Sequence, residues 1–181
     1  MPSTPLPTTV EELEAKTFAS LRKQDITPVV HTDTQLVLCA GRTASRARSS
    51  GRDDGGLYLG LVKCLVSQPQ FLSVTLTDNE PVSLLLQRDM LRNFGSGDAL
   101  LGTKGDILIP IVLDLRGLPV ESTGIVCGVA GRLVGRTSTG ILGGGGDSSE
   151  CIEMSYLSTA RAGTVMVGED DIKRATEALG L

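Results

Sequence analysis

The feature that most constrains this chain is a repeated order of strand, turn, strand and acid-led helix. Phe71–Leu76 and Val82–Leu86 are Val/Leu-rich runs around the turn Thr77–Pro81, and Asp89 opens a short helical turn ending at Phe94. Cys151–Leu157 and Thr164–Val167 repeat the pattern around the tight turn Ser158–Gly163. Glu169–Leu179 then reads as an amphipathic helix, with Ile172, Ala175, Thr176 and Leu179 on one face and Gly180 past its end. Ser73 and Asp89 are 16 residues apart, as are Ser155 and Asp171, so an offset of 82 superimposes the two hairpins without a gap.

Each hairpin is preceded by a strand and a helix. Ile26–Val30 and Gln35–Ala40 read as strands, and Leu57–Val66 as a mostly buried helix, because only Lys63 and two small residues interrupt its apolar run. In the second half Ile107–Leu115 is a strand and Gly124–Arg136 a helix. The closing strand of each half is not evident. The order strand–helix–strand–strand–helix predicts an α+β fold: tandem ferredoxin-like modules, each an antiparallel sheet with helices on one face. The expected boundaries are an N-terminal tail and helix-like segment over 1–25, a first module over 26–95, a linker over 96–105 and a second module over 106–181.

Three stretches fall outside this frame. Residues 1–9 are Pro/Thr-rich and read as disordered; Thr9 and Glu12 then form a capping-box signal ahead of the apolar positions Val10, Leu13, Phe18 and Leu21. Residues 41–56 form a polar loop in which Arg42, Arg46, Arg48 and Arg52 alternate with Ser45, Ser49 and Ser50. That loop is either a solvated connection or a basophilic phosphorylation or docking segment, since phosphate would reverse its charge. Residues 137–149, with four consecutive glycines, read as a flexible insertion.

Composition narrows the function. Aromatic residues make up 3% of the chain and Trp is absent, so the core is aliphatic and a stacking platform for bases or sugars is hard to assemble. A net charge of −4 argues against general nucleic-acid binding or an anionic membrane surface. Cys39, Cys64, Cys127 and Cys151 form no CxxC pair, and three lie in apolar runs. They read as reduced thiols in a cytoplasmic protein rather than a disulfide framework. The N-terminus has no basic and apolar signal pattern, and no apolar stretch approaches the roughly 20 residues of a membrane span.

The most informative segment is Val120–Arg136. Glu121, Ser122 and Thr123 are cap-type residues ahead of an apolar helix, and Gly124, Gly128, Gly131 and Gly135 fall on one helical face. Four helical glycines cost roughly 3–4 kcal/mol relative to alanine, which close approach of another element would offset. The same segment supports a second reading, compatible with the first. The free N–H groups of Gly124, Ile125 and Val126 form a cradle for a carboxylate, helped by the helix dipole. No Lys-Ser/Thr follows the glycines, so this is not a P-loop, and no cofactor or metal motif is present. His31 is the only histidine and stands in a strand-like stretch; no HExxH or GxSxG occurs, so an enzyme is not the expectation.

GIVCGVAGRLVG followed by SYLSTARAGTVMVGEDDI resembles the CASTOR family of cytosolic arginine sensors, and FLSVTLTDNEPVSLLLQRDML looks similar more loosely. The shared elements are G-I-V with small residues on the helix, L-S-T at the hairpin, and V-x-V-x-E-D leading into the last helix. The resemblance spans roughly residues 57–181 and implies two ACT-like modules. Family members carry four such modules, bind arginine between them and act on the TOR pathway through the GATOR complex. A two-module chain would then pair as a homodimer, for which one-sided sheets leave exposed edges. The resemblance places main-chain ligand contacts on Gly124, Ile125 and Val126, and hairpin contacts on Thr159 and Ala160. Of two acids before the helix it keeps Glu121 and has Ser122 in place of the other. Gly163 stands where the hairpin acid would serve a cationic ligand. What remains is an amino-acid carboxylate cradle without its guanidinium acceptor, and Glu121 with the backbone near Thr159 for the ligand amine. The alternative is a ligand-free ACT-like scaffold acting through protein contacts.

Overall fold

A computed structural model describes residues 9–41, 55–78, 80–95, 99–102, 105–119, 124–134, 152–159 and 161–181. Helix α1 (Val10–Lys23) and strand β1 (Val29–Val30) come first. They are followed by β2 (Leu36–Gly41), α2 (Gly55–Val66), β3 (Leu72–Thr75), β4 (Ser83–Gln87), a 3-10 helix (Arg88–Phe94) and β5 (Leu100–Leu101). The rest of the chain gives β6 (Leu108–Asp114), α3 (Ile125–Val134), β7 (Met154–Ser158), β8 (Ala162–Gly168), a 3-10 turn (Glu169–Asp171) and α4 (Ile172–Leu179).

The chain divides into two compact units, one continuous and one not. Thr32–Leu108 is inserted between the two parts of the other, Met1–His31 and Ile109–Leu181. In the inserted unit the strand order is β3-β4-β2, with β5 antiparallel to the end of β2 through Ala40↔Leu101 and Gly41↔Leu100. In the discontinuous unit β7, β8 and β6 are neighbours in that order, and β1 pairs antiparallel with β6 through Val29↔Val112 and Val30↔Ile111. Both units therefore complete the same four-strand order, α+β and ferredoxin-like, with a closing strand that the sequence hides. In the inserted unit it is a two-residue strand within the expected linker 96–105. In the other it precedes the insertion altogether.

The N-terminal helix belongs to the same compact unit as β6–α4, where the sequence had set it apart. Its cap is the expected one: the Glu12 N–H donates to Thr9 Oγ1 at 3.2 Å. It ends where Asp25 adopts a positive φ of 55° and the Ile26 N–H bonds back to Leu21 O at 2.9 Å. Ile26 is thereby spent on closing the helix, so the strand expected over 26–30 shortens to Val29–Val30. Phe18 and Leu21 join Ile111, Leu113, Val129, Leu133, Val165 and Val167 in this unit's core. The inserted unit has its own core, built on Val37, Leu57, Cys64, Leu84, Leu86 and Phe94. Both are dominated by aliphatic side chains, as the composition requires.

Two expectations need correction. Helix α2 buries only one face, through Leu57, Gly60 and Cys64; Tyr58, Leu59, Val62, Leu65 and Val66 are exposed. A run of apolar residues reports helix formation but not how many sides are covered. The repeat of 82 residues also slips in its second strand. Ser73 opposes Leu85, which at that offset would correspond to Val167, whereas Ser155 opposes Met166. The helix end matches expectation: Gly180 is left-handed at φ 77°, and the Leu181 N–H bonds to Thr176 O at 3.0 Å.

Candidate ligand site at the end of the discontinuous unit

Helix α3 begins at Gly124, whose carbonyl accepts the first helical bond from the Gly128 N–H at 2.8 Å. The N–H groups of Ile125, Val126 and Cys127 thus belong to the first turn, where no helix carbonyl can reach them. Gly124 sits at φ +83°, a conformation that favours glycine, so the helix start is fixed by the backbone as well as by its neighbours. Ile125 is half-buried and Val126 exposed.

The glycine face is packed, and the element packed on it is α1. A Cβ on Gly124 would come within 2.7 Å of Leu13 Cδ1, and one on Gly128 within 2.5 Å of Thr17 Cβ. The Thr17 hydroxyl, 4% exposed, donates to the Gly124 carbonyl at 3.3 Å. Four residues further along α3, the Arg132 guanidinium lies 4.1 Å from the centre of the Phe18 ring. The two helices run in the same direction, with Leu13 and Thr17 in register with Gly124 and Gly128. Their N-terminal ends therefore lie together, and α1 flanks the proposed cradle.

The turn between β7 and β8 lies beside the end of β6. The Leu115 N–H donates to Arg161 O at 2.9 Å, and a Cβ on Gly163 would stand 3.4 Å from Leu115 Cδ1. From Leu115 the chain leads through 116–123 into α3. Thr159 closes the turn. Its N–H donates to Ala162 O at 2.9 Å, and its hydroxyl exchanges hydrogen bonds with Ala162 O and N at 3.1 Å. Gly163 is not left-handed; it is small because Tyr156 lies on it, with Tyr156 Cζ 3.0 Å from where a Cβ would be and the hydroxyl closer still. Burial pushes the Tyr156 pKa up, so the phenol keeps its proton.

At the same end of β6, Asp114 and Arg116 pair with each other. Arg116 Nε lies 2.8 and 2.9 Å from the two carboxylate oxygens, and the Arg116 N–H also donates to Oδ1 at 3.1 Å. These hydrogen bonds hold the Asp114 pKa down at about 2 and raise that of Arg116. The fork is bidentate, so each charge is answered locally. Both Asp114 carboxylate oxygens thereby accept from Arg116, through its Nε and Nη2.

Among the expected site residues, Gly124, Ile125, Val126, Thr159 and Gly163 are described, while Glu121, Ser122 and Ala160 lie outside the described residues, as do the Arg/Ser loop 42–52 and the glycine insertion. Leu13, Thr17 and Tyr156 border the site and were not expected from the sequence. Tyr156 is one of only two tyrosines, and Thr17 lies one turn after Leu13; those were the available signals. A groove of about 370 Å³ lies further along α1, lined by Glu14, Ala15, Phe18, Ala19, Arg22 and Arg132, and includes none of the expected residues. His31 follows β1, and its N–H donates to Pro110 O at 3.0 Å. Among the described residues no His/Cys/Asp/Glu group is placed to hold a metal ion, and no helix is long and apolar enough to cross a membrane.

No protein-family model matches this chain, and no curated protein matches it in sequence. Solved structures do. A Vibrio cholerae protein of unknown function, described as a possible transport protein, has a TM-score of 0.50 at 14% identity, covering 91% of this chain and 94% of that one. An aspartate kinase of Clostridium acetobutylicum, an allosteric enzyme, scores 0.49 at 10% identity over 85% of this chain and 33% of its own. A putative C-terminal regulatory domain of aspartate kinase from Porphyromonas gingivalis scores 0.46 at 14% identity, covering 86% of this chain and 94% of that one. The likeness to the Vibrio protein is one of fold alone.

Proposed function

We propose that this chain is a non-enzymatic regulatory protein that binds a small carboxylate-bearing ligand, most simply an amino acid, at the end of its discontinuous unit. The observation that carries the reading is the meeting of the β6 end with the β7–β8 turn, sealed by the Leu115–Arg161 hydrogen bond beside Gly163. The same strand precedes α3 in the chain, and the CASTOR resemblance assigns one ligand to the first turn of α3 and to this hairpin turn together. The first-turn N–H groups of Ile125 and Val126 take the carboxylate. Glu121 and the Thr159 carbonyl take the amine, since the Thr159 hydroxyl and N–H are engaged within the turn.

The ligand side chain is not a guanidinium. Gly163 replaces the acid that would meet it, Tyr156 occupies the space an acid there would need, and Asp114 is already held by Arg116. A neutral amino acid fits this chemistry better than arginine. On this reading two copies together make the four-module body of the sensors, and a role in nutrient signalling in the cytoplasm follows from that likeness. Thermal unfolding across the twenty amino acids tests the proposal: one or a few neutral members at millimolar concentration should raise the melting temperature. No stabilisation by any of them would leave the ligand-free scaffold, which the exposed apolar side chains of α2 favour, as the better reading.

A further inference from the structure

We propose that the groove between α1 and α3 is a second ligand site, and that it takes a free dipeptide whose C-terminal residue is acidic. The proposal stands apart from the carboxylate cradle, because none of the residues assigned to that cradle lines the groove. At about 370 Å³ the groove is at the small end of the range for ligand pockets. Glu14, Ala15, Phe18, Ala19 and Arg22 of α1 form most of its wall, and α3 adds Arg132.

Three charged side chains meet there without an answering charge. The ion pairs among the described residues are Arg116–Asp114 and Arg174–Asp171, and the side chains of Glu14, Arg22 and Arg132 have no hydrogen-bond partner among those residues. Arg132 is nonetheless held in place, 4.1 Å from the centre of the Phe18 ring, by a contact that uses none of its N–H groups as hydrogen-bond donors. Glu14, Phe18 and Arg22 are four residues apart and stack along one face of α1. Arg132 lies over the middle one. Read along the groove, the charges are a carboxylate, a guanidinium and a second guanidinium.

The order of charges names the occupant. A ligand that answers all three carries an ammonium at one end and two carboxylates at the other. Glu14 disfavours a simple dianion, and the two arginines disfavour a simple amine. Two helical turns separate Glu14 from Arg22, about 12 Å along the axis. An extended dipeptide spans about 7 Å, and a charge-assisted hydrogen bond of about 2.8 Å at each end closes the distance. A free amino acid is one residue short of that span, and a tripeptide is one residue too long. Ala15 and Ala19 are exposed and project only methyl groups, so the dipeptide main chain can lie flat between the charged ends.

Glycyl-glutamate is the probe, titrated into the isotope-labelled full chain and followed by NMR. Because the groove is open and its charged groups are part-exposed, the expected Kd is on the order of a millimolar. Amide shifts should concentrate on Glu14–Arg22 and Arg132, and raised salt should weaken binding at least threefold. N-acetylglycyl-glutamate, which lacks the ammonium, and glycyl-glutamate amide, which lacks the terminal carboxylate, should each bind at least threefold more weakly. Glu14→Gln should weaken glycyl-glutamate to the same degree yet leave the N-acetyl compound unaffected, since the pairing it removes is already absent. Arg22→Gln and Arg132→Gln should weaken both compounds. Circular dichroism should be unchanged in all three variants. No shifts at about 20 mM dipeptide, more than tenfold above that Kd, overturn the proposal. So do shifts confined to the first turn of α3, which would place the dipeptide in the cradle instead. Equal binding of the N-acetyl compound, or affinity that Glu14→Gln leaves intact, overturns it as well.

Discussion

Replacing Gly128 with alanine tests the packing that positions the candidate site. Alone, the change favours the helix by about 1 kcal/mol, because alanine is the better helix former. Here the new methyl would stand 2.5 Å from Thr17 Cβ and 2.9 Å from Thr17 Cγ2, where ordinary contact begins near 3.4 Å. Thr17 Cβ is fixed to the α1 backbone, so α1 and α3 must separate by the better part of an ångström. Overpacking of this kind costs about 1–3 kcal/mol and outweighs the propensity gain. The net expectation is destabilisation by about 1–2 kcal/mol, a fall in melting temperature of about 2–8 °C. Gly128→Leu should cost several kcal/mol. Thermal and urea unfolding read the effect. Thr17→Ala removes the hydroxyl bonded to Gly124 O and should cost about 1 kcal/mol in the wild type. In the Gly128→Ala background it should cost less, because it also removes two of the three clashing atoms, leaving a coupling of at least about 0.5 kcal/mol. A Gly128→Ala protein as stable as the wild type would refute the close approach of the two helices.

Three further outcomes follow from particular contacts. Gly163→Asp should lower the melting temperature and fail to create arginine binding, and Tyr156→Phe in the same chain should recover part of the loss; calorimetry with arginine and paired melts check both. By NMR titration the Asp114 carboxyl should ionise at about 2, and Arg116→Gln should return it to the usual carboxylate range; because its folded pKa is depressed, the pair contributes above the unfolded value and its contribution is lost as pH falls toward about 2. At pH 8 an alkylating reagent should label exposed Cys127 and spare Cys39, whose thiol is pushed up to about 11 chiefly by burial; mass spectrometry that finds both labelled equally in the native chain would contradict the described burial.

The sequence pattern was most legible where one residue type has one physical reason to be there. Thr9 before Glu12 and Gly180 after α4 kept their expected places. It was least legible where a side chain serves a distant element. Thr17 interrupts the apolar spacing of α1, yet it is buried, because its hydroxyl has the Gly124 carbonyl to bond 107 residues away. With Thr17 counted among the buried positions, Leu13, Thr17, Phe18 and Leu21 form one helical stripe. Strands β1 and β5 are two residues long, too short to carry a periodicity, and each is defined by its partner. Gly163 reads as a turn glycine and as a missing acid; that it accommodates Tyr156, seven residues earlier, is visible only once the hairpin is closed.

The central claim is that the first turn of α3 receives a carboxylate, and calorimetric titration of matched ligands tests it most directly. An amino acid that binds should be compared with its amide and with the corresponding decarboxylated amine, under one buffer and ionic strength. The account predicts binding of the acid and at least a tenfold loss for both analogues, because neither presents negative charge to the N–H groups of Ile125 and Val126. Equal affinity for acid and amide would contradict it.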